Sequence, residues 1–254
     1  MALARRELLR SAGLLAAALG LGASAGPAAA AALEPDPGED ALARLQRRLE
    51  VCRPEGDPLQ ELLRRNRAFA AVWQEAEASG DPIERAELLH AHLPLQCQVR
   101  PDALAEGQRP WAAVLCCADS RVAPEWIFAA GSGELFEVRS AGNTAFDAGI
   151  ASLEYAVAEL AVPLILVLGH SGCGAVKAAR SDAPLTPLLE ELVQPIRAAL
   201  PRRGDLAAAV QANARAAAAA LGERSALLAE AVAAGSLRIQ PAYLDIGSAR
   251  VTLL

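Results

Sequence analysis

The sequence predicts an α/β fold: a mostly parallel central β-sheet flanked by helices, with an N-terminal helical arm and C-terminal strands that extend the sheet. Three observations predict it. Trp111–Cys116 and Pro163–Leu168 (PLILVL) are short, continuous apolar runs, as strands buried on both faces are. Glu134–Arg139 (ELFEVR) alternates in the manner of a third strand. Segments of helical periodicity separate these runs, and strands that alternate with helices make a parallel sheet with right-handed crossovers.

The elements follow in order. Ala41–Glu50 and Leu59–Ala78 read as amphipathic helices. In the second, Leu62, Leu63, Phe69, Val72 and Trp73 recur near helical spacing, and Gly80-Asp-Pro82 ends it. A short helix is expected over Ile83–His90. After the first strand, Pro124–Ala130 suits a short helix with proline in its first turn. Asp147–Leu160 is a helix whose apolar positions are Ile150, Leu153, Tyr155, Val157 and Leu160. Gly174–Arg180 starts another. Residues 185–234 are Ala- and Leu-rich helix, and Leu237–Leu254 reads as two strands around Asp245-Ile-Gly247.

The totals exclude some functions. A chain of 254 residues with 53% hydrophobic residues has enough material for one well-packed domain. Its net charge is −6 and no stripe of Lys and Arg stands out, so nucleic acid is not an expected partner.

The N-terminus has a different character. Ala4-Arg-Arg-Glu-Leu-Leu-Arg10 is a twin-arginine segment, Gly13–Ala25 is an apolar run, and Ala23-Ser-Ala25 and Ala28-Ala-Ala30 offer small-residue cleavage points. We expect residues 1–32 to be a signal peptide, 33–40 a linker and 41–254 the domain, exported to the bacterial periplasm by the twin-arginine route. The apolar run is shorter than the about 20 residues that span a bilayer, so no stable membrane anchor is expected. Five cysteines are present: Cys52, Cys97, Cys116, Cys117 and Cys173. An odd count argues against a pure disulfide framework. Cys52 and Cys97 are either a disulfide formed after export or two unrelated thiols.

In an open parallel sheet, ligands collect beyond the carboxyl ends of the strands. Two such ends carry scarce residues: Cys116-Cys-Ala-Asp-Ser-Arg121 and His170-Ser-Gly-Cys-Gly174. Taken singly these are a core cysteine, a tight turn and a local Asp–Arg pair. If the two strands are neighbours, Cys117, His170 and Cys173 converge. Two thiolates and an imidazole suit tetrahedral zinc, and three protein ligands leave a fourth position for chemistry. Cys116 points to the opposite face of its strand. A thiol oxidoreductase is disfavoured, because HxxC offers one of the two motif cysteines. His90 and His92 read as surface residues.

Four segments, CADSRVAPE (117–125), GELFEVRSAGN (133–143), ASLEYAV (151–157) and LGHSGCGAVKA (168–178), resemble the β-class carbonic anhydrases. The resemblance covers roughly residues 40–254. It implies one Zn2+ per subunit on Cys117, His170 and Cys173, and reversible hydration of CO2 to bicarbonate and a proton by a zinc-bound hydroxide. Asp119 is similar to the family's aspartate that accepts a hydrogen bond from that hydroxide, or that closes onto zinc as a fourth ligand. Arg121 matches the arginine that holds it. Gln108 and the N–H of Gly174 match donors to a substrate oxygen. Phe136, Ala141 and Tyr155 match positions that wall the CO2 pocket.

The resemblance further implies a homodimer or higher homo-oligomer, with the helical arm on the partner and the pocket near the interface. Ser140 stands where the family often has asparagine. Val114 stands where some allosteric members carry a tryptophan, which weakens the case for bicarbonate regulation. Two thiolates offset the metal's charge, so bound water should be less acidic than the about 7 of a three-histidine site, and activity should rise toward alkaline pH. Two other readings keep the same fold: a zinc-stabilised, non-catalytic binding module, and a hydrolase of a CO2-like molecule such as carbonyl sulfide.

Overall fold

The structure, a computed structural model, describes residues 54, 56–92 and 105–254, all within one compact unit, Arg44–Leu254. The expected signal peptide and linker, the helix expected over residues 41–50, Cys52 and Cys97 lie outside the described residues.

Helices α1 (Pro58–Ala78) and α2 (Pro82–His92) precede the sheet. There follow β1 (Ala112–Cys117), α3 (Pro124–Ile127), β2 (Leu135–Ser140), α4 (Asp147–Ala158), β3 (Leu164–His170) and α5 (Gly174–Ala179). Helices α6 (Pro187–Ala199), α7 (Leu206–Arg224) and α8 (Ala226–Ala233) lead to β4 (Arg238–Asp245) and β5 (Arg250–Leu253). The five strands are ordered β2-β1-β3-β4-β5. The first four are parallel and β5 returns antiparallel to β4. The chain leaves β1 toward β2, then crosses back to β3 on the other side. The order therefore reverses between β1 and β3, the place where open α/β sheets form a crevice at their carboxyl ends.

Every residue of β1 and β3 is buried, which explains why both read as unbroken apolar runs. Alternate side chains feed two cores. Val114, Cys116, Leu166 and Leu168 pack with Leu59, Leu62, Phe69 and Ala70 of α1. Ala113, Leu115, Ile165 and Val167 pack with Leu153 of α4, Leu221 of α7 and Leu228 of α8. A third cluster, at the carboxyl end of the sheet, gathers Cys117 and Cys173 with Val176, Val193, Ile196, Ala209 and Val210.

The described part of the arm packs on its own sheet. Asp57 caps α1 by accepting the Leu59 N–H at 2.9 Å, with Pro58 in the first turn. Buried Asn66 donates to the Ala249 carbonyl at 2.9 Å and accepts the Val251 N–H at 2.8 Å, tying α1 to β5. The region 185–234 divides into three helices rather than running on. Thr186, Asp205 and Ser225 cap them through side-chain oxygens, and Pro201 and Gly204 fall between the first two. Among the described residues, no helix is long and apolar enough to cross a membrane.

Candidate metal centre

The site grows from the register of β1 against β3. Cys116 lies opposite Leu168, so Cys117 and His170 arrive at the same end of neighbouring strands. The chain then turns through Ser171 and Gly172. Ser171 fixes the turn to the end of β4: its N–H donates to the Leu244 carbonyl at 2.8 Å, and its Oγ accepts the Ile246 N–H at 2.9 Å. Gly172 has φ +71°, a conformation that side chains disfavour, and it brings Cys173 back toward His170. The two sulfurs and a nitrogen of the imidazole lie within 4.8 Å of one another, and all three side chains are buried.

Each donor is prepared differently. His170 Nδ1 lies 3.0 Å from the Ser171 carbonyl oxygen. A carbonyl only accepts, so Nδ1 carries the proton and Nε2 presents a lone pair. That Nε2 is buried and makes no hydrogen bond of ordinary geometry. A hydrogen bond from Cys173 outweighs burial and pulls the Cys117 thiol down to about 4, helped by the Gly142 N–H. The Gly142 N–H sits 3.2 Å from its sulfur. Cys173 is pushed up by the same bond and by burial, against the pull of the Val176 and Ala175 N–H groups at the start of α5. The bond between the two sulfurs thus favours the thiolate at Cys117 and the thiol at Cys173. A soft cation bound between them and the free imidazole lone pair would displace the thiol proton. The donor set fits zinc.

Asp119 borders this cluster and is held away from it. Arg121 grips it with both arms, Nε to Oδ1 at 2.9 Å and Nη2 to Oδ2 at 2.7 Å, and the Arg121 N–H adds a bond of 3.0 Å to Oδ1. Arg121 holds the carboxyl well below the usual carboxylate range. Oδ2 still lies 3.9 Å from His170 Nε2. The arrangement is an Asp119 paired to arginine, not one closed onto the ligand atoms.

The remaining expected residues are distributed unevenly. Ala141 adjoins Gly142, and Gly174 is exposed at the first residue of α5, directly after Cys173. Gln108 is exposed just ahead of β1. Phe136 and Tyr155 pack together with ring centroids 6.4 Å apart. Phe136 lies opposite Ala113, four residues before the Cys117–Ser140 pairing. It is therefore about 13 Å back along the sheet from the sulfur ligand. A single chain does not bring the aromatic pair to the cluster.

Three contributors were not singled out for these roles in the sequence. Arg139 directs its guanidinium at the carbonyls of Cys117, Asp119 and Val122, and so holds the loop that carries a ligand and the Asp119–Arg121 pair. Ser140, the departure from the family pattern, accepts the Thr144 N–H at 2.9 Å and bonds Thr144 Oγ1 at 2.9 Å. It closes the 140–144 turn. Asn213 of α7, also buried, donates from Nδ2 to the Gly142 carbonyl at 2.8 Å. In the sequence, Arg139 stood out as an arginine ending a strand beside the motif and Ser140 as a departure from the family pattern, while nothing marked Asn213.

The carbonic anhydrase family model matches residues 112–251. A carbonic anhydrase of Mycolicibacterium smegmatis is 45% identical over 111 residues, covering 44% of this chain and 52% of that protein. One from Pseudomonas aeruginosa is 47% identical over 92 residues, covering 34% of this chain and 42% of that protein. The chain spans about half the length of the curated relatives it matches. Among solved structures, a tetrameric β-carbonic anhydrase of Sordaria macrospora superposes with a TM-score of 0.56 at 29% identity, covering 60% of this chain and 84% of that one. Coccomyxa β-carbonic anhydrase in complex with acetazolamide gives a TM-score of 0.56 at 27% identity, covering 70% and 86%.

Proposed function

The chain belongs to the carbonic anhydrase family, in its β class, and on that premise we propose that it is a zinc enzyme that reversibly hydrates CO2 to bicarbonate and a proton. One observation carries the reading: Cys117, His170 and Cys173 meet within 4.8 Å, with an imidazole nitrogen that makes no hydrogen bond among the described residues. Cys117, His170 and Cys173 would hold the zinc, which when bound would acidify a water enough for it to serve as nucleophile.

The chain's own residues do the rest. Asp119 accepts a hydrogen bond from the attacking group and fixes its orientation, and Arg121 keeps the carboxylate ionised and aimed. The Gly174 N–H and the Gln108 amide donate to a substrate oxygen, on which charge develops as CO2 becomes bicarbonate. Ala141 offers an apolar wall beside the cluster, which suits an apolar substrate. Phe136 and Tyr155 complete the wall from a second copy of the chain, because within one chain the pair stands too far back. The enzyme is thus a homo-oligomer, in keeping with the tetrameric Sordaria proteins. The twin arginines ahead of an apolar run support export to the periplasm. Replacing Arg5 and Arg6 with lysine should block it, and unchanged export would count against that route.

The direct test is stopped-flow CO2 hydration on protein whose metal content has been measured. Stoichiometric zinc and a rate that climbs toward alkaline pH are expected, both lost in Cys173→Ser. Stoichiometric zinc with no hydration at mildly alkaline pH would overturn the proposal.

A further inference from the structure

Gly142 is where the supports of the metal centre meet. Its N–H donates to the Cys117 sulfur at 3.2 Å. Its φ is +77°, and a Cβ built on it would lie 2.5 Å from Ile196 Cδ1 of α6 and 3.0 Å from the Ala175 Cβ of α5. Ala175 follows Cys173 by two residues, so the Gly142 turn touches the Cys173 side of the cluster as well as the Cys117 sulfur. Ser140 and Thr144 close the turn from within. From outside, one side chain fixes its carbonyl: Asn213, 3% exposed, donating at 2.8 Å across 71 positions of sequence.

Asn213 sits on a helix that braces the cluster a second time. A Cβ on Gly169, which immediately precedes His170, would lie 2.9 Å from Val210 Cγ1 and 3.3 Å from the Ala214 Cβ. Helix α7 therefore lies hard against β3 beside the imidazole ligand, and its small residues permit that approach. One helix thus sets the height of two ligands, His170 by packing and Cys117 by hydrogen bonding through Gly142.

From this arrangement we infer that Asn213 is a positioning residue of the metal centre: by holding the Gly142 carbonyl it aims the Gly142 N–H at the Cys117 sulfur and sets the distance between the two cysteine ligands. The inference rests on the proposed zinc site and goes beyond it, since Asn213 touches neither ligand nor substrate. Outer-shell partners of this kind alter metal affinity by about 10- to 100-fold. A buried amide donor lost from a packed interface leaves the Gly142 carbonyl unpaired, so the turn relaxes and the N–H···S bond with it.

The test compares Asn213→Leu and Asn213→Asp with the wild type and with Asn66→Leu. Asn66 is an equally buried amide that ties α1 to β5 and has no hydrogen bond to the site. Zinc affinity is read by chelator competition, and thiolate geometry by the thiolate-to-cobalt charge-transfer band of the Co2+-loaded protein. Both Asn213 variants should bind zinc at least about tenfold more weakly and shift the band. Asn66→Leu should lose stability and change neither. Should Asn213→Leu not fold, the isosteric Asn213→Asp gives the same reading. Unaltered affinity and spectrum in a folded Asn213 variant, or equal losses in Asn66→Leu, would overturn the inference alone. A wild type that takes up no zinc would overturn the proposed function and this inference with it.

Discussion

The bidentate grip of Arg121 on Asp119 makes a half-exposed arginine decide where a carboxylate points. With that grip gone, Asp119 Oδ2, already 3.9 Å from His170 Nε2, is free to swing onto the ligand atoms. Arg121→Ala should lower kcat/KM by roughly 10- to 100-fold while zinc stays bound, checked by stopped-flow kinetics beside metal analysis. Loss of zinc instead would mean that the arginine supports the ligands themselves. A second single residue gives a pH signature. Burial pushes the Glu137 carboxyl from 4.5 up to about 7, and the neighbouring Glu125 adds to the rise. Between those values the folded chain holds a proton that the unfolded chain has released. Stability from this group is therefore full below about 4.5 and is lost as pH rises through 7. Glu137→Gln should match the wild type near pH 4.5 and exceed it at pH 8. Partial solvent screening at this half-buried carboxyl limits the gain to about 1 kcal/mol, measurable as a shift in denaturant midpoint.

The 140–144 turn is the element on which the site depends most tightly. Gly142 is required there twice over, by its positive φ and by the Ile196 methyl 2.5 Å from any Cβ. Gly142→Ala should cost about 1–3 kcal/mol in chemical denaturation and should weaken zinc binding in the same protein. Full zinc affinity in a destabilised variant would separate the turn from the site. None of this was legible in the sequence, because the partners of the turn come from α5, α6 and α7. The strands were legible: β1 and β3 are buried on both faces, so their residues form unbroken apolar runs, and each ends in residues too scarce to be filler. The ligand triad followed from the assumption that those strands are neighbours, and the register of Cys116 with Leu168 meets it. The helices after Leu185 were harder to divide. Alanine carries almost no periodicity, and only the caps at Thr186, Asp205 and Ser225 mark the breaks. The roles of Arg139 and Asn213 depend on side chains reaching backbone carbonyls of other segments, which spacing alone does not encode.

On the scale of the whole molecule, the aromatic pair stands apart from the candidate metal centre. Phe136 and Tyr155 pack on each other, Tyr155 is 48% exposed, and the pair stands about 13 Å along the sheet from Cys117. Trp126 and Phe146 add further exposed aromatic surface. An aromatic pair left half open to solvent is apolar area that a second copy can cover, and on the proposed reading the two rings then wall that copy's cluster. The protein should accordingly sediment as a dimer or a multiple of one. Tyr155→Arg places a charge in that contact, where burial without a partner is costly. It should shift the protein toward monomer, keep stoichiometric zinc and reduce CO2 hydration at least about tenfold. Analytical ultracentrifugation, metal analysis and stopped-flow kinetics on one preparation would separate the outcomes. A monomeric variant with wild-type turnover would show that each chain carries a complete site and that the aromatic pair has no part in it.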